Sequence, residues 1–521
     1  MPNRSSVFSV CDNRASVFVP ALVILIGMTL RLVMLGLDVR FHPDEALFAA
    51  QTRLISQQGD LLLRETDLDK PPLTFYVTAL SFRLLGPTEF ATRLPNVLFS
   101  SLSVALVYAL ARALYRDRVT AALAGLLFAV SPYDLAFAAT AFTDVQATFW
   151  VLAAAWCAVR DHWSYAGIAA ALAFAAKSNA LIMLPLIVAL GITHNAKAEW
   201  RFRDVLARLG RLVWPLALGV GLLVVWDLGR APRSFFDLGY TRNNPGRLIR
   251  SDELWPRLGR WLRWLGFITG ARALNLFLLA AAPVQLAAGR RSRSRAALAD
   301  WLMAGFAVAF LAWHWLIAFN TYDRYIHTLV PFLILMAARI LTGLYKIDVV
   351  GRIVRAYRHT PLPGDAGTAP TRSPIYFCLA GGARIALVVV VLGAMLPATV
   401  KTLRGEAAVG GDQGQHTGID SLAVYLNRRL RGEIVYDHWL GWELAYYLGE
   451  TPQVIVLYAS LPEALADDME SAPRYCYFVA PSPQLAAPWL DALREAGIEI
   501  SINYQDAEND FVIYRLAAQK S

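Results

Sequence analysis

Two short polar strings frame one stretch of this chain. His42-Pro43-Asp44-Glu45 sets two carboxylates side by side just after a hydrophobic run, and Asp69-Lys70-Pro71-Pro72-Leu73 sets a cation just before the next. A carboxylate is ionised at neutral pH and can take a proton from a hydroxyl. An ammonium is a compact point charge that suits a phosphate. Chemistry that needs both is transfer of a group off a phosphate. The base activates the incoming hydroxyl, and the cation holds the charge that grows on the departing phosphate. Arg93, Arg242, Arg247 and Arg324 are further candidates for holding that charge, and Asp69 can pair with Lys70 or ligate a metal.

Each of these residues also has a plainer reading. Asp44 can cap a helix that begins near Ala46, beside a solvated Glu45. Lys70 can snorkel to a membrane interface. Asp144 follows Thr143 at the start of an apolar run and is equally suited to a helix cap. The acidic pair carries weight only because Lys70-Pro71-Pro72 accompanies it. His42, His314 and His327 lack metal-ligand spacing and read as interface or core histidines.

The elements that must position these groups are membrane helices. The 521 residues are 56% hydrophobic and 17% charged, with a mean hydropathy of +0.42, too apolar for an ordinary soluble protein. The net charge of +9 points away from nucleic acid here and toward Lys and Arg gathered in cytoplasmic loops. Fifteen Trp fit interface belts, and the four cysteines, Cys11, Cys157, Cys378 and Cys476, are too scattered for a disulfide framework or a metal site. The first run, Val17 to Leu37, reads as a retained signal anchor. The polar residues 1–15 before it belong in the cytoplasm.

About eleven spans are expected, near 17–37, 96–114, 121–130, 145–159, 163–176, 178–192, 213–228, 274–288, 302–319, 326–344 and 385–396. One decision fixes their orientation. The run from Trp163 to Ile192 is longer than the ~20 residues one span needs. Lys177-Ser178-Asn179 interrupts it, and a lysine at mid-bilayer costs roughly 2.5–3.5 kcal/mol. Two spans with Lys177 at the outer surface place Lys197, Arg201, Arg203, Arg208 and Arg211 inside, and later Arg290, Arg291, Arg293 and Arg295. The turn bearing Arg112, Arg116 and Arg118 is then inside, and the 41–73 stretch outside. Ser131-Pro132-Tyr133-Asp134 begins a second outer loop that closes at Thr143-Asp144. Residues 230–269 form a long outer segment with eight arginines, against the charge rule, though long loops cross largely regardless of charge. Within it, Trp255, Leu258, Leu262 and Leu265 recur at helical spacing, as in a helix lying in an interface. Lys346 to Arg372 reads as a cytoplasmic linker.

From about Lys401 the composition changes. Short β-rich runs at 433–436, 454–458, 475–479 and 498–502 alternate with helical patterns at 440–448 and 488–495, which predicts a small outward-facing α/β domain. The expected division is residues 1–400 for the membrane part and 401–521 for that domain. No Gly-rich nucleotide loop and no internal repeat occur.

His42-Pro43-Asp44-Glu45, Asp69-Lys70-Pro71-Pro72-Leu73, Thr92-Arg93-Leu94-Pro95, Thr143-Asp144, Lys177 and Asp323-Arg324-Tyr325 together resemble the phospholipid-carrier-dependent glycosyltransferases of family 39 and its relatives. These include protein O-mannosyltransferases and aminoarabinose transferases acting on lipid A. The resemblance covers about residues 15–345. It implies a GT-C fold with a large first outer loop and a polyprenyl-monophosphate-linked sugar as donor. It also implies Asp44 as catalytic base with Glu45 beside it, Asp144 as a second active-site carboxylate, and Lys70 on the donor phosphate. Some relatives carry a divalent metal at a glutamate before the matching lysine. That position is Asp69 here, a departure that leaves Asp69 as the candidate metal ligand and no cofactor assigned. No β-trefoil insertion is matched, which counts against a protein acceptor; lipid, glycan and protein all stay open as acceptors. The expectation is a multi-pass inner-membrane glycosyltransferase, with site and C-terminal domain extracytoplasmic, among membrane lipids. The rivals are a transporter or lipid flippase, and a receptor module on an anchor. Transporters often carry inverted repeats and midplane polar sites; here the polar candidates gather at one face.

Overall fold

The computed structural model describes residues 4–196, 201–292, 294–346, 374–471, 475–506 and 510–518. The linker expected at 346–372 falls outside them but for Lys346, as do Lys197 and Arg293 of the two basic clusters.

The chain is mainly helical, with a small sheet at its C-terminus. Helix α1 (Arg4–Leu35) enters the bundle. Two shorter helices, α2 (Pro43–Ser56) and α3 (Leu73–Leu85), then precede α4 (Glu89–Tyr115). The bundle continues through α5 (Arg118–Val130), α6 (Pro132–Ala138), α7 (Thr143–Val159), α8 (Trp163–Ala176), a 3₁₀ turn at Ser178–Met183 and α9 (Leu184–Asn195). Then come α10 (Phe202–Leu228), α11 (Phe235–Asn243), α12 (Leu254–Gly266), α13 (Arg272–Ser292), α14 (Arg295–Leu316), α15 (Val330–Tyr345) and α16 (Pro374–Leu403).

Each of the eleven expected spans coincides with a helix, but length and apolarity alone qualify fewer. Seven helices among the described residues are long and apolar enough to cross a membrane, and an eighth counts if α5 and α6, bent by 55°, act as one span. Helices α7, α8 and α15 are apolar but shorter. The bundle closes on small residues, as membrane helices do when backbones must approach. A Cβ on Gly167 would stand 2.2 Å from the Leu212 carbonyl oxygen, so no larger residue fits where α8 meets α10.

Helix α4 has 27 residues and rises about 40 Å. Its start lies beside α2, where Arg93 meets Glu45, and its end leads to the turn with Arg116 and Arg118. Helix α10 is equally long, with Arg208 on Asp161 near its start (2.8 Å) and Asp227 capping Ser234 and Phe235 near its end. One end of the bundle therefore carries basic turns, and the other carries the 41–73 stretch.

The expected outer loop at Ser131–Asp134 is instead helix α6, with all seven residues buried. The reason is an internal charge pair that spacing could not reveal. Asp134 accepts from Arg31 of α1 (2.5 Å) and from Ser100 of α4 (2.7 Å). The amphipathic segment does form a helix, α12, which keeps Trp255 and Leu262 exposed. Its Arg257 donates to the His314 and Ile317 carbonyls at the end of α14.

Beyond α16 lie α17 (Ile419–Arg429), strand β1 (Ile434–Asp437), α18 (Gly441–Tyr447), β2 (Ile455–Tyr458), α19 (Pro462–Ser471), β3 (Cys476–Ala480), α20 (Pro483–Glu495), β4 (Ile498–Gln505) and β5 (Val512–Ala518). The sheet order is β2-β1-β3-β5-β4, with β1 parallel to β2 and β3 and with β5 antiparallel to β3 and β4. Strand β5 and helices α17 and α19 add to the expected elements.

This layer is seated on the bundle through α18. Tyr446 packs edge-on against Phe41 at 4.8 Å, lies beneath the Arg53 guanidinium at 4.0 Å, and donates its hydroxyl to the Pro87 carbonyl. The Tyr447 hydroxyl accepts from the Phe41 amide and donates to Glu89. Such rings bring large apolar area and a polar tip, so the contact is both buried and directional.

Candidate active site

Helix α2 begins where its sequence dictates, at a capping box. His42 is the N-cap and accepts from the Asp44 amide, while the Glu45 carboxylate accepts from the His42 amide (3.1 Å). The cap roles thus fall to His42 and Glu45, and Asp44 is left facing a cavity.

That cavity has a volume of about 640 Å³. Asp44 reaches it from the start of α2, and Asp67, Asp69 and Lys70 from the loop before α3. Asp144 comes from the first turn of α7, and Lys177 from the break between α8 and the 3₁₀ turn. Arg242 comes from α11, Arg324 and Tyr325 from the 3₁₀ turn Asp323–Ile326, and Trp442 from α18.

Four cations meet four carboxylates there in pairs. Arg324 lies 2.6 Å from Asp44, Lys177 2.5 Å from Asp144, Lys70 2.5 Å from Asp69, and Arg242 3.6 Å from Asp67. The Arg324 guanidinium also lies over the rings of Phe142 (5.0 Å) and Tyr322 (4.4 Å), and the Lys177 ammonium over Tyr325 (5.2 Å). Burial pulls the Arg324 pKa down, but the charges of Asp44 and Asp144 outweigh it and hold the group above its ordinary value. Burial pushes the Tyr325 hydroxyl up, so it stays a neutral hydrogen-bonding group. Asp323 fixes this turn. One of its oxygens accepts from the Arg324 amide and the other from the Gly410 amide, both at 2.8 Å.

The structure brings Asp44, Asp144, Lys70, Arg242 and Arg324 to one cavity, with Asp69 beside Lys70. It takes three other candidates elsewhere. Glu45 is fully buried, spent on the capping box, on Arg93 and on the Ala141 amide (2.8 Å). Arg93 is spent on Glu45 and on the Val39 and Arg40 carbonyls, with its guanidinium over Phe41. Arg247 is exposed and bidentate on Glu253, away from the cavity lining. The Asp69 metal reading meets a poor donor set. No group of three or more His, Cys, Asp or Glu that could hold an ion occurs among the described residues, and Lys70 occupies Asp69.

Lys177 and Trp442 are among the lining residues without an assigned role from sequence. The lysine had a signal, since it interrupts an apolar run. It is buried on Asp144 and does not lie in open solvent at the outer surface. The tryptophan had none, because only the docking of α18 brings it here.

Over 95% of the chain, the structure superposes on ArnT from Cupriavidus metallidurans bound to undecaprenyl phosphate, covering 97% of it with a TM-score of 0.60 at 18% identity. The fold is that of the GT-C glycosyltransferases. An oligosaccharyltransferase from Archaeoglobus fulgidus shares this GT-C fold with a TM-score of 0.58 at 11% identity, over 95% of this chain and 73% of that one. Residues 69–223 match the family described as dolichyl-phosphate-mannose-protein mannosyltransferase. An undecaprenyl phosphate-alpha-4-amino-4-deoxy-L-arabinose arabinosyl transferase of Pectobacterium carotovorum is 30% identical over 199 residues, 35% of this chain. A second, from Proteus mirabilis, is 29% identical over 228 residues, 40% of this chain. The chain spans about a third (34%) of the first of these relatives and 41% of the second.

Proposed function

We propose that this chain is an integral membrane glycosyltransferase that moves a sugar from a polyprenyl-monophosphate carrier to an acceptor hydroxyl. The observation that carries the reading is the single cavity in which Asp44 meets Lys70, Lys177, Arg242 and Arg324. The names of the relatives support the donor class, as they specify undecaprenyl phosphate-linked sugar transfer.

In this reading Asp44 takes the proton of the acceptor hydroxyl. The acceptor oxygen bonds to the anomeric carbon as the bond from that carbon to the phosphate oxygen breaks. The electron pair leaves on the phosphate, and the polyprenyl phosphate departs. A single displacement inverts the anomeric centre. Lys70 and Arg324 hold the growing phosphate charge, with Arg242 at the rim, and preorganised cations there lower the barrier. Asp144 holds Lys177 in place. Arg324 is shared between Asp44 and the phosphate, so arrival of the donor draws the guanidinium off the carboxylate and frees the base.

Sidedness follows from the same charge logic. The basic turns at the bundle end opposite the cavity suit the cytoplasmic side, which turns the cavity and the C-terminal α/β layer outward. The division at about residue 400 is proposed on the same footing, because α16 ends at Leu403 and the sheet lies beyond it.

The test is sugar transfer in proteoliposomes from a radiolabelled undecaprenyl-phosphate-linked sugar. Asp44→Asn should insert and melt like the parent protein but fail to release the label from the lipid. Near-normal turnover would refute the base assignment. Labelling of a cysteine placed at Arg116, but not of one at Asp69, by an impermeant reagent outside cells would refute the sidedness.

A further inference from the structure

The C-terminal layer holds a second cavity of about 820 Å³ that the donor chemistry leaves unused. We propose that it binds the sugar portion of the acceptor, and that this portion is a neutral glycan. The proposal rests on the glycosyltransferase reading above and adds the acceptor class to it.

Position is the first argument. The cavity runs along β2 and reaches the carboxyl ends of two parallel strands, where Asp437 closes β1 opposite Tyr458 at the end of β2. Crevices beyond the carboxyl ends of strands are where α/β sheets take ligands. It also adjoins the catalytic cavity. Trp442 lines both, and Pro43 lines this one while its neighbour Asp44 lines the other. A ligand seated here needs to cross only that neck to bring a hydroxyl to the base.

Chemistry of the lining is the second argument. Trp439, Trp442 and Tyr458 contribute aromatic rings, and Trp442 (48% exposed) and Tyr458 (69% exposed) are open to a ligand. Exposed rings at a groove are flat platforms for the C–H faces of sugar rings. His438 is held by the stacked ring of Tyr458 and by the Ala459 carbonyl (2.8 Å). Asp437 is spent on the Trp439 and Leu440 amides. Among the described residues no Lys or Arg lines this cavity, whereas four line the other. A phosphorylated or otherwise anionic acceptor headgroup would find no counter-charge here, so charge selects a neutral saccharide.

The test uses the full chain in detergent and saturation-transfer difference NMR. The probes are cellotriose, mannotriose and maltotriose, with glucose 6-phosphate and a fluorescent long-chain fatty acid for contrast. Binding of undecaprenyl phosphate is measured on the same samples as a separate readout of the donor cavity. At least one neutral trisaccharide should receive saturation on its ring C–H protons. Tyr458→Ala and Trp442→Ala should each weaken that binding by roughly three- to tenfold, the scale of one aromatic contact. Tyr458→Ala should leave undecaprenyl phosphate binding unchanged.

Three results would overturn the acceptor assignment while leaving the donor reading intact: undecaprenyl phosphate bound but no trisaccharide, trisaccharide binding indifferent to both variants, or the fatty acid or the phosphosugar taking the site instead. Loss of undecaprenyl phosphate binding in the parent protein would strike the donor reading itself.

Discussion

Arg31–Asp134 and Arg324–Asp44 join the same two side chains at nearly the same distance, 2.5 and 2.6 Å. Their surroundings differ. The Arg31 guanidinium places one bond on Ser100, one on Gly27, one on Ala129, one on Phe128 and one on Asp134, matching all five of its N–H groups. Arg324 has Asp44 as the one polar partner of its side chain among the described residues, and aromatic faces take the rest of its surface. The first pair is closed, and nothing can be added to it. The second has unfilled donor capacity turned toward a cavity. A buried charge is costly unless fully paired, so a pair left incomplete beside a cavity is where a ligand's own charge can complete it.

The largest expected effect separates the two pairs by what they damage. Asp44→Asn should lower transfer by ~10²–10⁴-fold, the usual contribution of a general base, with the melting temperature unchanged. Arg31→Ala should do the reverse in order of cause. It strands Asp134 inside the bundle and should cost about 3–5 kcal/mol of stability. Thermal unfolding followed by size-exclusion chromatography in detergent reads this directly. The double variant Arg31→Met, Asp134→Leu should recover most of that loss, because an apolar pair of similar volume leaves no charge behind. If Arg31→Ala kept its stability but lost transfer, the closed pair would belong to the site after all.

Legibility in the sequence follows the same division. Asp44, Asp144, Lys70 and Arg324 converge from motifs at breaks between apolar and polar residues, and Arg242 joins them from the 230–269 segment without a motif of its own. Glu45 and Arg93 carry equally good motif positions and have structural roles. They lie 48 residues apart, and only the packing of α2 on the start of α4 shows that each satisfies the other. Asp134 reads as a loop residue because Ser-Pro signals a turn, and nothing in the first apolar run marks Arg31 as its partner. Burial decides both, and burial depends on contacts a hundred residues away. Four strands of the C-terminal layer are recognisable from their Val, Ile and Tyr content, whereas β5 lies outside the expected runs. The docking of α18 on α2 is not recognisable, because Tyr446 and Tyr447 announce no partner.

A smaller effect tests a pair that is buried but poorly satisfied. His416 lies 2.5 Å from Asp412 and 3.3 Å from Glu443, and both carboxylates are buried. Burial pushes the Glu443 carboxyl up to about 7, partly offset by His416. Burial pulls His416 down, but Asp412 and Glu443 outweigh it and raise the imidazole above its ordinary value. Asp437 and Asp412 are the acids felt at Glu443, and both push it further up. Both shifts favour the protonated forms in the folded state. That stabilisation is fully present below the unfolded values of 4.5 and 6.5 and is lost as pH rises through the folded ones. Stability should therefore fall by on the order of 2 kcal/mol between pH 5 and pH 8. Hydrogen exchange over residues 412–447 should rise with it, and Glu443→Gln should flatten the profile. A pH-independent exchange rate in the parent protein would show that the cluster stays satisfied in both forms.

The smallest effect is the sharpest check on the comparison. Arg247–Glu253 has the best geometry of any pair discussed, two parallel bonds at 2.8 Å, yet its arginine is exposed. Glu253 is held down to about 2, first by Arg247 and then by the Arg250 amide, which shows strong local pairing without any cavity. Water competes with every bond such a pair makes, and salt screens it. Arg247→Ala should change neither the melting temperature nor undecaprenyl phosphate affinity beyond about twofold. Lys70→Ala, which removes a cation that lines the cavity and pairs with Asp69, should weaken that affinity by roughly tenfold or more. If the two variants lost affinity equally, pairing geometry would be a better guide to the phosphate site than the cavity, and Arg247 would return as a ligand brought in by movement of the 230–269 segment.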